Sequence, residues 1–106
     1  MINQQKIDEV VSRITKRFDP EKIILFGSLA SQNQTSDSDL DLLIVKETKL
    51  PVHQRSNEIR SHLLGLKIPM DILVYTSDEF DKEKNVRFSF LNGALKNSIV
   101  LYERTN

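Results

Sequence analysis

The sequence predicts an α/β (α+β) fold: one small mixed β-sheet of about four strands with helices packed against it. Three observations lead there. Four short apolar segments, 22–26, 40–45, 70–75 and 99–102, have the length and composition of strands. The stretches before and between them carry apolar residues at helical spacing. A length of 106 residues supports one hydrophobic core and not two, so residues 1–106 are read as a single domain.

Ile7, Val10, Val11, Ile14 and Phe18 fall on one face of a helix of about four turns, which Asp19-Pro20 stops. Lys22 to Phe26 is a continuous apolar run with two adjacent isoleucines, suited to a strand covered on both faces, and the turn Gly27-Ser28 ends it. Ser31 to Ser38 is polar and aperiodic, hence a loop, and Leu40 to Val45 forms the second strand. Val52, Ile59, Leu63 and Leu66 predict one helix, with Pro51 near its start and Gly65 near its end. Met70 to Tyr75 is the third strand. Thr76 and Glu79 have the spacing of a capping box, Val86, Phe90, Leu91 and Ala94 predict the inner face of a last helix, and Ile99 to Tyr102 closes the sheet.

Composition narrows the function classes and leaves a nucleic-acid partner unsupported. Fifteen basic and fifteen acidic residues leave a formal net charge of zero, so no broad field attracts a nucleic acid or an anionic membrane. The absence of cysteine removes disulfides and thiolate metal sites, and fits a reducing compartment. MINQQKIDEV lacks the apolar core of a signal peptide, and no run approaches the roughly 20 apolar residues that span a bilayer, so a cytoplasmic protein is expected.

The acids are the informative feature. Side chains alternate along a strand, so Asp39 and Asp41 point to one face at the entrance of the second strand while Leu40 points into the core. A helix between the second and third strands favours a parallel crossover, which brings Asp71 to the same edge. Gly27-Ser28 arrives there too. Two unit charges about 4 Å apart repel by about 4 kcal/mol at an effective dielectric of 20, a cost that cations remove. All-oxygen ligands suit Mg²⁺ or Mn²⁺. Gly27 lets the backbone approach a phosphate closely, and the Ser28 hydroxyl can donate to its oxygens.

Gly27-Ser28, then Asp39-Leu40-Asp41 leading an apolar strand, then Asp71 opening a later strand, resembles the nucleotidyltransferase signature of the DNA polymerase beta superfamily. In size and element order the chain is similar to the minimal nucleotidyltransferases. The resemblance implies a nucleotidyltransferase fold and transfer of a nucleoside monophosphate from a nucleoside triphosphate, usually ATP, to a hydroxyl, with two Mg²⁺ ions. Asp39 and Asp41 would bind both metals, and Asp71 the one that activates the acceptor. Minimal members are commonly encoded beside a small helical partner of the HEPN type, and the resemblance implies that some act as antitoxins by placing AMP on a tyrosine of that partner. A second reading, a non-catalytic antitoxin or complex subunit, draws on Leu29-Ala30-Ser31-Gln32, which lacks the Arg that family loops often carry. Self-association is compatible with either. Transfer to a small molecule would want a larger second domain.

Other residues have plainer readings. His53 and His62 have no third ligand at zinc spacing and are expected at the surface. Arg55, Arg60 and Lys67 are expected on the solvated face of their helix. Phe88 and Phe90 fit the core, whereas exposure of Phe88 or Leu91 would mark a docking surface.

Overall fold

The computed structural model describes residues 2–31 and 39–105. Helix α1 (Gln4–Phe18) is capped by the Asn3 side chain, which accepts from the Lys6 N–H, and ends at Asp19 in the left-handed conformation. Strand β1 (Lys22–Phe26) follows, then a short helix α2 (Gly27–Ala30), β2 (Leu40–Val45), α3 (Asn57–Leu63), β3 (Met70–Tyr75), α4 (Ser77–Glu83), α5 (Phe90–Leu95) and β4 (Ile99–Glu103). Among the described residues the sheet has four strands in the order β3-β2-β1-β4. β1 runs antiparallel to both β2 and β4, and β2 runs parallel to β3, giving the expected mixed sheet.

Strand alternation divides the core between the two faces of the sheet. On one face Ile23, Leu25, Leu40, Leu42, Ile44, Ile72 and Val74 pack with Ile7, Val10 and Ile14 of α1 and with Ile59 and Leu63 of α3. On the other, Ile24, Leu43 and Val45 pack with Phe80 of α4 and Leu91 of α5. The continuous apolar run of β1 is thus explained, since Ile23, Ile24 and Leu25 are all buried. No helix among the described residues is long and apolar enough to cross a membrane.

Three expectations about the elements need correction, and one about a side chain follows. Gly27-Ser28 is not a simple turn: the two residues open α2, with Gly27 at φ 76° and the Ser31 N–H donating to its carbonyl at 3.1 Å. The remainder of the proposed 31–38 loop, residues 32–38, lies outside the described residues. The helix expected over Val52–Leu66 is broken into a 3₁₀ turn at Val52–Gln54, the α-helix Asn57–Leu63 and a second 3₁₀ turn at Leu64–Leu66. Val52 fits the helical stripe by spacing but is 70% exposed, because its neighbour Arg55 turns toward β3. The last helix is likewise two, α4 and α5, with Ser89 capping the second by accepting from the Asn92 N–H and Phe88 at φ 66° just before it. Leu91 is buried as expected, whereas Val86 and Phe90 are exposed.

Arg55 is not on a solvated face. Its side chain is only 9% exposed and forks onto Glu79 at 2.6 and 3.1 Å, while also donating to the carbonyls of Leu50 and Val74. Glu79 serves the ion pair and the predicted Thr76 capping box together. Arg60 donates to the Met70 carbonyl at 3.0 Å. Two arginines therefore occupy carbonyls of the edge strand β3, which limits unwanted pairing there.

Two measurements check this packing. Ile14→Ala should lower unfolding free energy by about 2–5 kcal/mol, whereas Val52→Ala should change it by about 0.5 kcal/mol or less, as read by urea denaturation. Comparable losses at both positions would contradict the broken helix. The second concerns acid. Arg55 and the Thr76 backbone hold Glu79 down to about 2 from an ordinary 4.5. A depressed carboxylate stabilises the fold above its unfolded value, and that stability is lost as pH falls from about 4.5 toward 2. Because Glu79 is 40% exposed, solvent screens the pair, and Glu79→Gln should cost roughly 1–2 kcal/mol at pH 7. The gap between variant and wild type should narrow at pH 3; a constant gap would contradict the ion-pair account.

Candidate active site

The parallel register of β2 and β3 sets Asp41 directly beside Asp71. Both belong to the face that carries Leu43 and Leu73, the side covered farther along by α4 and α5. Asp39 precedes β2 by one residue and shares that parity, while Leu40 is fully buried on the opposite face as expected. Across the sheet in the other direction, Phe26 is the antiparallel partner of Asp41. A transverse row Asp71, Asp41, Phe26 results, built by two different kinds of strand pairing.

Asp41 is the half-buried member. Desolvation first, then the charges of Asp71 and Asp39, and finally a hydrogen bond with Asp71 push its carboxyl above the ordinary value of 3.8. Asp39 and Asp71 are exposed. No group of three His, Asp or Glu side chains among the described residues is gathered into a metal-holding cluster, so the acids form a close pair with a third carboxylate near enough to act on Asp41 electrostatically. Mg²⁺ typically takes one or two protein carboxylates and completes its shell with water and phosphate oxygens, and the donor set here fits that habit.

Gly27 is locked to this pair. A Cβ added at position 27 would run into the Asp41 carboxylate, lying 3.1 Å from its Cγ and 3.3 Å from its Cβ. Glycine is required twice over, by this approach and by φ 76°. Ser28 is half-buried on α2, and its carbonyl accepts from the Ser31 hydroxyl at 3.3 Å. Beside Gly27 opens a groove of about 460 Å³ between the end of β1 and α5, lined by Phe26, Gly27, Ser31, Ser89, Phe90, Gly93, Ala94 and Asn97. Sequence reasoning missed this groove because its walls are about sixty residues apart; the parity of Phe26 with Asp41 was the available signal. A groove of about 530 Å³ along β3, bounded by Arg55, Arg60, Tyr75 and Glu79, does not include the acids. His53 and His62 are exposed, the latter with its ring edge against Phe18.

The sequence matches the family described as polymerase beta, nucleotidyltransferase over residues 5–106, and the chain belongs to that family. No curated protein matches it. Among solved structures it is similar to a crystal structure described as a candidate nucleotidyltransferase from Sulfolobus solfataricus, with TM-score 0.68 and 20% identity, covering 94% of this chain and 79% of the other. At that identity the likeness establishes the shared nucleotidyltransferase fold.

The repulsion at Asp41 can be measured. Without divalent metal, Asp41→Asn should raise stability by about 0.2–1 kcal/mol, the range for like charges on facing strand positions. An acid whose folded value is raised costs stability as pH climbs, so the advantage should be absent near pH 3 and present at pH 7. A variant less stable than wild type at pH 7 would show that the carboxylate is not strained by its neighbours.

Proposed function

We propose that this chain transfers a nucleoside monophosphate, AMP from ATP, to a hydroxyl acceptor, with Asp39, Asp41 and Asp71 as catalytic and metal-binding acids and Gly27 and Ser28 against the phosphates. The carrying observation is the Asp41–Asp71 register with Gly27 held open against it, a paired-carboxylate edge that accepts an anion only when its own charge is neutralised. Two Mg²⁺ ions, or Mn²⁺ in their place, held by Asp39, Asp41 and Asp71 would supply that neutralisation and Lewis acidity toward the α-phosphate.

The chain's own groups divide the work. Asp41, half-buried and central, fixes the position of the nucleotide relative to the sheet edge, and Asp39 adds its carboxylate from the strand entrance. Asp71 stands on the outer strand β3, and this reading assigns it to the acceptor. Gly27 keeps a Cβ out of the space the Asp41 carboxylate occupies, which lets the acid stand at the edge, and the Ser28 hydroxyl donates to a phosphate oxygen. The acceptor oxygen bonds to the α-phosphorus as the bond to the pyrophosphate oxygen breaks, and the acceptor's proton leaves on the Asp71 side.

A domain this small exposes its catalytic edge, and in-line attack needs an acceptor held about 3–3.5 Å away. A protein partner supplies what the edge lacks. The reading favoured here is a tyrosine of a small helical HEPN-type toxin, with this chain as its antitoxin. Val86 and the 91% exposed Phe88 offer apolar surface for such a partner.

Co-expression with the adjacent reading frame, followed by incubation with labelled ATP and Mg²⁺, size exclusion and intact mass measurement, tests the reading. The expected result is a complex whose partner gains AMP. Asp71→Asn should reduce transfer by about a hundredfold or more while keeping ATP affinity within a few-fold. Full activity of that variant would remove Asp71 from the chemistry. A stable complex without any mass gain would support the non-catalytic subunit instead.

A further inference from the structure

We infer that the apolar pocket at the start of β3, flanked by Arg60 and Lys67, docks an acidic segment of a protein partner: a large apolar side chain enters the pocket and a carboxylate beside it meets the two cations. This rests on the reading that the chain works with a protein partner, and it names the chemistry by which that partner is held.

The pocket, of about 320 Å³, lies where α3 and the 3₁₀ turn after it pass the edge strand, with Leu64, Ile68, Pro69 and Met70 as its apolar walls. Leu64 is 74% exposed although Leu63 beside it is buried. Covering such a side chain with a partner removes apolar surface from water. Met70 precedes Asp71 and packs against the core on the face opposite the acids. An occupant of the pocket therefore abuts β3 one residue from Asp71, on the reverse side of the acidic edge.

Charge selects the occupant. Arg60 and Lys67 line the pocket, and no acidic residue does. Arg60 donates to two neutral groups, the Met70 carbonyl at 3.0 Å and the Ser56 hydroxyl at 3.3 Å, and among the described residues neither cation enters an ion pair. Two unneutralised positive charges beside an apolar recess complement a carboxylate carried next to an apolar side chain. No aromatic residue lines the pocket, so it lacks the stacking surface that single-stranded nucleic acid uses, and the zero net charge supplies no wider field for a polyanion.

The backbone singles out Lys67. It ends the 3₁₀ turn at φ 54°, a left-handed position where glycine is the usual residue. A lysine there costs stability relative to glycine, and no ion pair within the described residues offsets it. Its contribution is the cation at the mouth of the pocket.

Affinity measurements between this chain and the protein encoded by the adjacent reading frame, both purified, test the assignment. Lys67→Gly removes the cation and relaxes the backbone, so its melting temperature should match or exceed that of wild type while partner affinity falls about tenfold. Lys67→Glu should weaken the complex further, and Leu64→Ser, at an exposed position, should weaken it about fivefold or more. Lys82→Gln, on α4 across the sheet, should stay within about twofold of wild type. Unchanged affinity in folded Lys67→Glu, an equal loss in Lys82→Gln, or a wild type that does not bind the partner overturns the docking site. Binding of a single-stranded RNA oligonucleotide that Lys67→Glu abolishes, with partner affinity intact, reassigns the pocket to nucleic acid and overturns it as well. Pocket variants that lose the complex while wild type adds no AMP to its partner leave the docking site standing and sink the transfer reading; AMP transfer within a complex insensitive to every variant does the reverse.

Discussion

The parallel pairing of β2 with β3 is the constraint on which the rest of the molecule hangs. It is pinned at both ends, by the Leu40 N–H donating to the Pro69 carbonyl and the Lys46 N–H donating to the Tyr75 carbonyl, each at 3.0 Å. A slip of one residue would invert every side chain of one strand relative to the other, sending Ile72 and Val74 out of the core and Asp71 into it. Burial of an unpaired carboxylate is expensive, and so is exposure of two β-branched residues. Core and acidic edge are therefore selected by the same register, and neither can shift without the other.

That coupling explains why the acids tolerate one another. The sheet is fixed by apolar residues on both faces: Leu42 and Ile44 on one, Leu43 and Val45 on the other. Cohesion elsewhere holds Asp41 against Asp71 despite their charges, and the free energy stored in the pair is available to whatever neutralises it. Metal affinity in this reading is a property of the fold's rigidity as much as of the ligands. The arginines along β3 contribute to the same end, since Arg55 joins the segment before α3 to α4 across the strand that carries Asp71.

The strands were legible because each is a short apolar run bounded by residues that break it, and the Asp-x-Asp parity followed from the pleat alone. The helices were less so. Val52 sits seven residues before Ile59 and reads as one stripe with it, but periodicity says nothing of Arg55, whose guanidinium finds a carboxylate 24 residues away and draws the chain out of helical path. Val86 and Phe90 are spaced as helical neighbours, yet Ser89 between them starts a new helix by capping Asn92. The acid positions could be inferred from alternation and topology. The groove could not, because its aromatic wall and its floor come from opposite ends of the chain and meet only after the sheet has closed.

Gly27 and Asp41 finally behave as one unit of inheritance. The glycine is confined by the carboxylate that abuts it, whereas the carboxylate is not confined by the glycine. Descent with modification can thus remove the acid first and loosen the restriction on its neighbour, but the reverse order passes through a clash. A scaffold that has lost the aspartate should still retain a glycine here, because the left-handed backbone at φ 76° requires one after the carboxylate has gone.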